Sequence, residues 1–359
     1  MKIVYSCPNT LGLDKPILTT GAAGVIHTYL LDGLLRAKRE KGYNVSVITP
    51  EQFDYKKDAH YGAIIFDSLA SYEECLKSAD VFIGSGCCSL HQMERVKQHG
   101  GKVATTWFNS HWAYTKKIME EEQPKLKVTN PIFDPLLVWR AQREQLFCDR
   151  IIVTGSECAK TYDAVPELKG KVRSVGFGVD SNKFQPSDNK PEGFHVLFVG
   201  ANVVRKGLLY LCEAWNKLEL EDGLLSVVGN DFPFRPLWKT NILGWINDED
   251  VPKTYQENHV FVMPSLEDGG PSSTLEAMAS GLPVIATEMG SNSMVDDWKN
   301  GIIVEPRNPR DIYNALLYFH ENPDELKKMG QNAREKALQW PWERFGDNVV
   351  KVLEEMVES

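Results

Sequence analysis

Asp268 and Glu276 stand with seven residues between them, and Glu267 sits directly beside the first of the pair. An ionised carboxylate only accepts hydrogen bonds, and it can take both hydroxyls of a vicinal diol at once, so acids at this spacing suit a sugar or ribose ligand. Gly269 and Gly270 follow the first acids and allow a ligand close to the backbone. Pro271, Ser272, Ser273 and Thr274 then open a short Ala-rich helix closed by Gly281, with Pro283 just beyond. The N–H groups at that helix start lie at the positive end of its dipole, a position that suits a phosphate or a sugar hydroxyl. The bland use of the same acids is to favour the helix N-terminus electrostatically, worth about 0.3 to 1 kcal/mol each.

A phosphate-bearing ligand also needs positive charge, and the chain as a whole is acidic, with a net charge of −9. That balance argues against a nucleic-acid partner and makes local cations informative. Arg205 and Lys206, in ANVVRKG, stand at the mouth of a strand-to-helix turn: the lysine offers a point charge and the arginine a planar fork. Gly21 and Gly24, in TTGAAGVIHTY, form a second turn before a helix, although not with the G-x-G-x-x-G spacing of dinucleotide oxidoreductases. His111, in FNSHWAY, follows the strand KVATTW at the edge where open α/β sheets place ligands. Asp248, Glu249 and Asp250 read as an acidic helix start, and no cluster has metal-ligand spacing.

These residues must be held by elements, and the apolar runs supply them. IVYSC, VSVIT, AIIF, VFIG, KVATTW and RIIVT are strand-like and alternate with helical stretches, the first over Val25 to Lys41. After a polar, Pro- and Gly-rich linker the alternation begins again with HVLFVG, LLSVVG, NILGW, FVMPS, PVIAT and GIIVE. The expectation is α/β: two doubly wound parallel-sheet domains, 1–188 and 189–340, with residues 341–359 as a final helix returning to the first. With 42% hydrophobic and 25% charged residues, no apolar run of eighteen and a start that leads straight into a strand, neither signal peptide nor membrane span is expected. Seven cysteines without a repeated C-x-x-C spacing fit reduced thiols, and a cytoplasmic location is expected.

The order EAMASGLPVIAT from Glu276 resembles the signature of the family four retaining glycosyltransferases, which have the GT-B fold of two Rossmann-like domains facing across a cleft. GVDSNKFQP, from Gly178 to Pro186, is similar to that family's G-V-D-x-x-x-F-x-P segment, and Arg205-Lys206-Gly207 to its R-K-G turn. Two departures stand out. The family's aromatic between the two glycines is missing, and Ala201 occupies a position where an arginine is usual. The resemblance implies transfer of a sugar from a UDP- or GDP-sugar to an acceptor hydroxyl, without a metal or other cofactor. Glu276 would bind ribose, Asp268 or Glu267 the sugar, Lys206, Arg205 and the Gly21 turn the diphosphate, and His111 the transferred sugar. A GT-B epimerase or phosphorylase, or a non-catalytic sugar-nucleotide binder, would use the same grip. Many relatives glycosylate lipids, yet Lys116, Lys117, Lys125 and Lys127 alternate with Glu120 to Glu122 and make a poor anionic-lipid patch.

Overall fold

The computed structural model describes residues 1–7, 22–53, 62–127, 134–201, 204–229 and 238–358. In the first half the strands are β1 (Lys2–Ser6), β2 (Asn44–Ile48), β3 (Val81–Ser85), β4 (Lys102–Trp107), β5 (Arg150–Val153) and β6 (Val172–Ser174). Between them run α1 (Ala22–Lys41), α2 (Gly62–Ala70), α3 (Leu90–Gln98), α4 (Trp112–Leu126), α5 (Pro135–Phe147) and α6 (Ser156–Asp163). All pairings are parallel, in the order β2-β1-β3-β4-β5-β6. Strands covered by helices on both faces must be apolar throughout, which is why β3 is buried at every residue.

The second half repeats the plan. Its strands are β7 (Phe194–Val199), β8 (Gly223–Val228), β9 (Thr240–Gly244), β10 (Val260–Met263), β11 (Val284–Ala286) and β12 (Gly301–Ile303). Its helices are α7 (Leu208–Leu218), α8 (Val251–Gln256), α9 (Ser272–Ala279), α10 (Glu288–Ser291), α11 (Pro309–Glu321), α12 (Pro323–Ala337) and α13 (Trp342–Glu358). The sheet is again parallel, in the order β12-β11-β10-β7-β8-β9. The order reverses between β7 and β10, and a crevice outside the carboxyl ends of such strands is where doubly wound folds place ligands.

One expected strand is a helix. AIIF lies inside α2, because Phe66 and Ala70, one helical turn apart, are buried together while Asp67 accepts from the backbone N–H groups that open α3. A four-residue apolar run satisfies either period, and here packing selected the helical one. The short strand β6, absent from the expected set, completes the sheet edge in its place.

The two halves touch extensively. α13 crosses α1 where Gly33 meets Gly346, so close that a β-carbon on Gly346 would lie 2.8 Å from the Gly33 Cα. Tyr29 and Trp342 stack beside the crossing with ring centroids 4.6 Å apart. The linker strand at Val179 pairs in parallel with Pro341, its N–H donating to the Trp340 carbonyl at 2.9 Å. None of the seven cysteines is joined in a disulfide, and among the described residues no helix is long and apolar enough to cross a membrane.

Candidate active site

Two connections meet at the reversal of the second sheet. The β7–α7 turn carries Arg205 and Lys206, and the β10–α9 loop carries Glu267 to Pro271. They are hydrogen-bonded to one another, the Leu266 and Glu267 N–H groups donating to the Arg205 carbonyl at 2.8 and 3.2 Å. Gly207 makes this approach possible: it is left-handed (φ 69°) at the start of α7, and a side chain there would collide with the Pro264 carbonyl.

The charged side chains pair across this contact. Glu267, with no exposed surface, accepts from Arg205 Nη1 at 3.1 Å and from the Ser110 N–H at 3.1 Å. Asp268 accepts from Lys206 Nζ, from Ser265 Oγ at 3.3 Å and from the Gly270 N–H at 3.3 Å. Lys206 is only 8% exposed, and burial lowers its pKa while the Asp268 charge opposes the drop. The two adjacent acids therefore have separate surroundings. Glu267 is tied to the first half of the molecule, and Asp268 to the lysine.

Loop and first half are in close contact here. A β-carbon on Gly269 would strike the Phe108 carbonyl, the Gly269 carbonyl accepts from Thr154 Oγ1 at 2.8 Å, and Ser110 Oγ donates to the Asp268 carbonyl at 3.1 Å. Gly270 has φ 117°, open to glycine, and turns the chain against Phe177 into α9. Pro271 is the N-cap of α9, and Ser272 to Thr274 form its first turn; the Thr274 N–H donates to the Pro271 carbonyl at 3.2 Å, while those of Ser272 and Ser273 have no acceptor within the helix.

Glu276 stands one turn along α9. Its Oε2 accepts from the Tyr255 hydroxyl at 2.9 Å. Burial raises its pKa, against the pull of hydrogen bonds from Tyr255 and Ser272 and of the Lys183 charge. Glu276 and Ser272 line a cavity of about 420 Å³ between the two halves, walled by Ile26 and Tyr29 of α1, by Lys183 of the linker and by Trp245 and Asp248 after β9. Trp245 presents a 70% exposed indole there. This is the arrangement of a largely apolar slot with Asp180, Asp248 and Glu276 in its wall, able to take a flat ring and a diol together.

The remaining expected residues divide. His111 is buried, caps α4 by accepting from the Ala113 N–H at 3.4 Å, sets its ring edge-on to Tyr162, and has its pKa lowered by burial. Gly21 lies outside the described residues. Gly24 does not belong to a turn: α1 begins at Ala22, so good helix formers carry Gly24 into the first helical turn. Among the described residues no group of three or more His, Cys, Asp or Glu could hold a metal. No individual role for Ser110, Tyr255, Lys183 or Trp245 is legible in the sequence, although Trp245 and Tyr255 lie in NILGWINDEDVPKTY, which resembles the family's segment around the nucleotide base. Trp245 had a signal, as the residue leaving a strand at its carboxyl end, but Tyr255 and Ser110 acquire a role only through the fold.

Residues 179–336 match the family described as Glycosyl transferases group 1. The chain is 30% identical over 209 residues to the UDP-Gal:alpha-D-GlcNAc-diphosphoundecaprenol alpha-1,3-galactosyltransferase of Escherichia coli, over 50% of this chain and 51% of that one. It spans about half the length of the curated relatives it matches. In structure it superposes on sucrose-phosphate synthase from Thermosynechococcus elongatus with a TM-score of 0.74 at 19% identity, covering 100% of both chains. It also superposes on Anabaena HepE in complex with UDP-glucose with a TM-score of 0.65 at 14% identity, covering 99% of this chain and 100% of the other. The basic turn and the acidic loop that meet at the sheet reversal thus lie within the stretch that matches the group 1 glycosyltransferases, and the two parallel sheets have the GT-B fold of the solved structures.

Proposed function

We propose that the chain is a retaining glycosyltransferase that moves a sugar from a UDP- or GDP-sugar to an acceptor hydroxyl. The observation that carries this reading is the cavity between the halves, which has Glu276 and, from the first turn of α9, Ser272 in its wall. The base and ribose occupy the slot beside Trp245, with the ribose diol on Glu276, and the diphosphate reaches the N–H groups of Ser272 and Ser273 at the start of α9. The named donor of the E. coli relative and the UDP-glucose held by the Anabaena protein support a nucleotide sugar.

Arg205 and Lys206 stabilise the departing diphosphate. Their charges are matched by Glu267 and Asp268. Phosphate oxygens arriving at the buried Lys206 therefore compete with Asp268, and a carboxylate released from the lysine is free to accept from sugar hydroxyls. Asp268, rather than the interdomain Glu267, is the first acid on this reading. The sugar C1–O bond to the β-phosphate breaks, a C1–O bond to the acceptor forms on the same face, and the acceptor proton passes to the departing phosphate oxygen. The positive end of α9 and the two cations serve where other enzymes use a metal, so none is required.

The test is turnover of UDP- and GDP-sugars with a panel of hydroxyl acceptors, alongside UDP and GDP binding by calorimetry. Glu276→Ala and Lys206→Ala should each lower kcat/KM by about a hundredfold, as removal of a charged contact to a transition state does, and EDTA should leave wild-type turnover unchanged. If both variants transfer sugar at the wild-type rate, the assignment is wrong.

A further inference from the structure

We propose that Tyr255 is a positioning residue for the donor: its hydroxyl, held by the linker phenylalanine Phe184, fixes the Glu276 carboxylate in the orientation that grips the ribose diol. The inference rests on the reading of Glu276 just given and adds what makes that residue effective.

Tyr255 is wholly buried on α8, and its hydroxyl reaches both Glu276 Oε2, at 2.9 Å, and the Ser273 carbonyl, at 3.3 Å. It thus ties α8 to the first turn of α9. The ring cannot swing away, because Phe184 stands edge-on to it with centroids 5.6 Å apart and Phe261 of β10 flanks it at 5.8 Å. Phe184 also lines the cavity, together with Glu276. The phenylalanine of the GVDSNKFQP segment, whose ring also lies under the Lys183 ammonium at 5.6 Å, acquires a purpose as the wedge behind Tyr255.

A carboxylate has about four acceptor positions. Tyr255 and Ser272 occupy two of those on Glu276, and the two that remain equal the needs of a vicinal diol. Without the tyrosine the glutamate can rotate about its own side-chain bonds, and the diol meets a carboxylate in several orientations. The other charged groups facing Glu276 are Lys183 from the linker and Asp248 from the loop before α8, with Asp180 further along the same cavity. Their opposite signs leave the hydrogen bonds as the directional contacts, of which that of Tyr255 comes from a wholly buried ring and that of Ser272 from a half-buried side chain.

The experiment compares wild type, Tyr255→Phe and Glu276→Gln in calorimetric binding of UDP, GDP and their 2′-deoxy analogues across pH, with thermal unfolding as the check on folding. In wild type the ribonucleotide binds more tightly than its deoxy analogue. Tyr255→Phe should weaken the ribonucleotide about tenfold, the scale of one hydrogen bond to a charged group, and leave the deoxy analogue nearly unchanged, so that the preference collapses. A donated hydrogen bond favours the ionised carboxylate, so its loss should also move the acid limb of binding to higher pH. In turnover the donor KM should rise while kcat holds. Phe184→Leu, which keeps the hydroxyl but loosens the wedge, should fall between wild type and Tyr255→Phe. Equal losses for both nucleotides, or an acid limb that stays in place, would overturn the proposal. Failure of wild type to bind either nucleotide, or an undiminished ribose preference in Glu276→Gln, would instead defeat the reading beneath it.

Discussion

At the level of single residues, burial decides what the charges can do. The Glu276 carboxyl is held above its ordinary pKa by desolvation, and only the ionised form accepts both hydroxyls of a diol. Donor affinity should therefore rise as pH rises through that raised value, with the acid limb of kcat/KM above the roughly 4.3 of a free glutamate; Glu276→Gln should abolish the limb. Glu144, on α5, is a second case away from the cleft. It accepts from the Cys87 and Ser89 N–H groups at 2.7 and 2.9 Å, yet burial pushes it up to about 8. A folded pKa above the unfolded one means that the folded state holds the proton more tightly, so this contribution to stability is complete below about pH 4.3 and lost as pH rises through about 8. Urea unfolding across that window should show stability falling with pH, and Glu144→Gln, which keeps a carbonyl acceptor without a titrating proton, should flatten the slope.

At the level of elements, close backbone approach sets the geometry of the site. Gly269→Ala places a methyl group against the Phe108 carbonyl, so the loop must retreat from the first half; the expected cost is about 1–3 kcal/mol, as for other overpacked contacts, with donor affinity lost in parallel, measurable by chemical unfolding and calorimetry. This part of the molecule was the most readable in the sequence. The helix expected over Ser272–Ser280 is α9, Ser272–Ala279, because Gly281 and Pro283 punctuate it, and the strands on either side are β10 and β11. Where punctuation was missing, reading failed. AIIF had the length of a strand and nothing nearby to mark the helical turn that Phe66 and Ala70 complete. The different surroundings of Glu267 and Asp268 were not legible in letters, since they turn on which of two adjacent side chains meets the Ser110 N–H, some 157 residues away. The pairing of Tyr255 with Glu276 was hidden for the same reason, at a separation of 21 residues.

At the level of the whole molecule, the halves are fastened by more than the donor loop. Glu122, buried on α4, accepts from the Tyr210 hydroxyl of α7 at 2.7 Å and from Arg307 Nε, beyond β12, at 2.6 Å, while Lys125 of its own helix donates at 2.9 Å. Glu122→Ala removes the shared acceptor from all three donors. A wider cleft should follow, seen as a larger radius of gyration in small-angle scattering, together with a thermal transition that splits as the two sheets unfold separately. How far the halves may separate is limited elsewhere, by the pairing of Val179 with Pro341. The polypeptide passes from one half to the other there in two neighbouring segments joined by a hydrogen bond, and Pro341 stiffens one of them through its fixed φ. Two pins mounted side by side permit a swing about the line through them and resist a twist across it. Any movement of one half against the other must therefore carry both crossings with it.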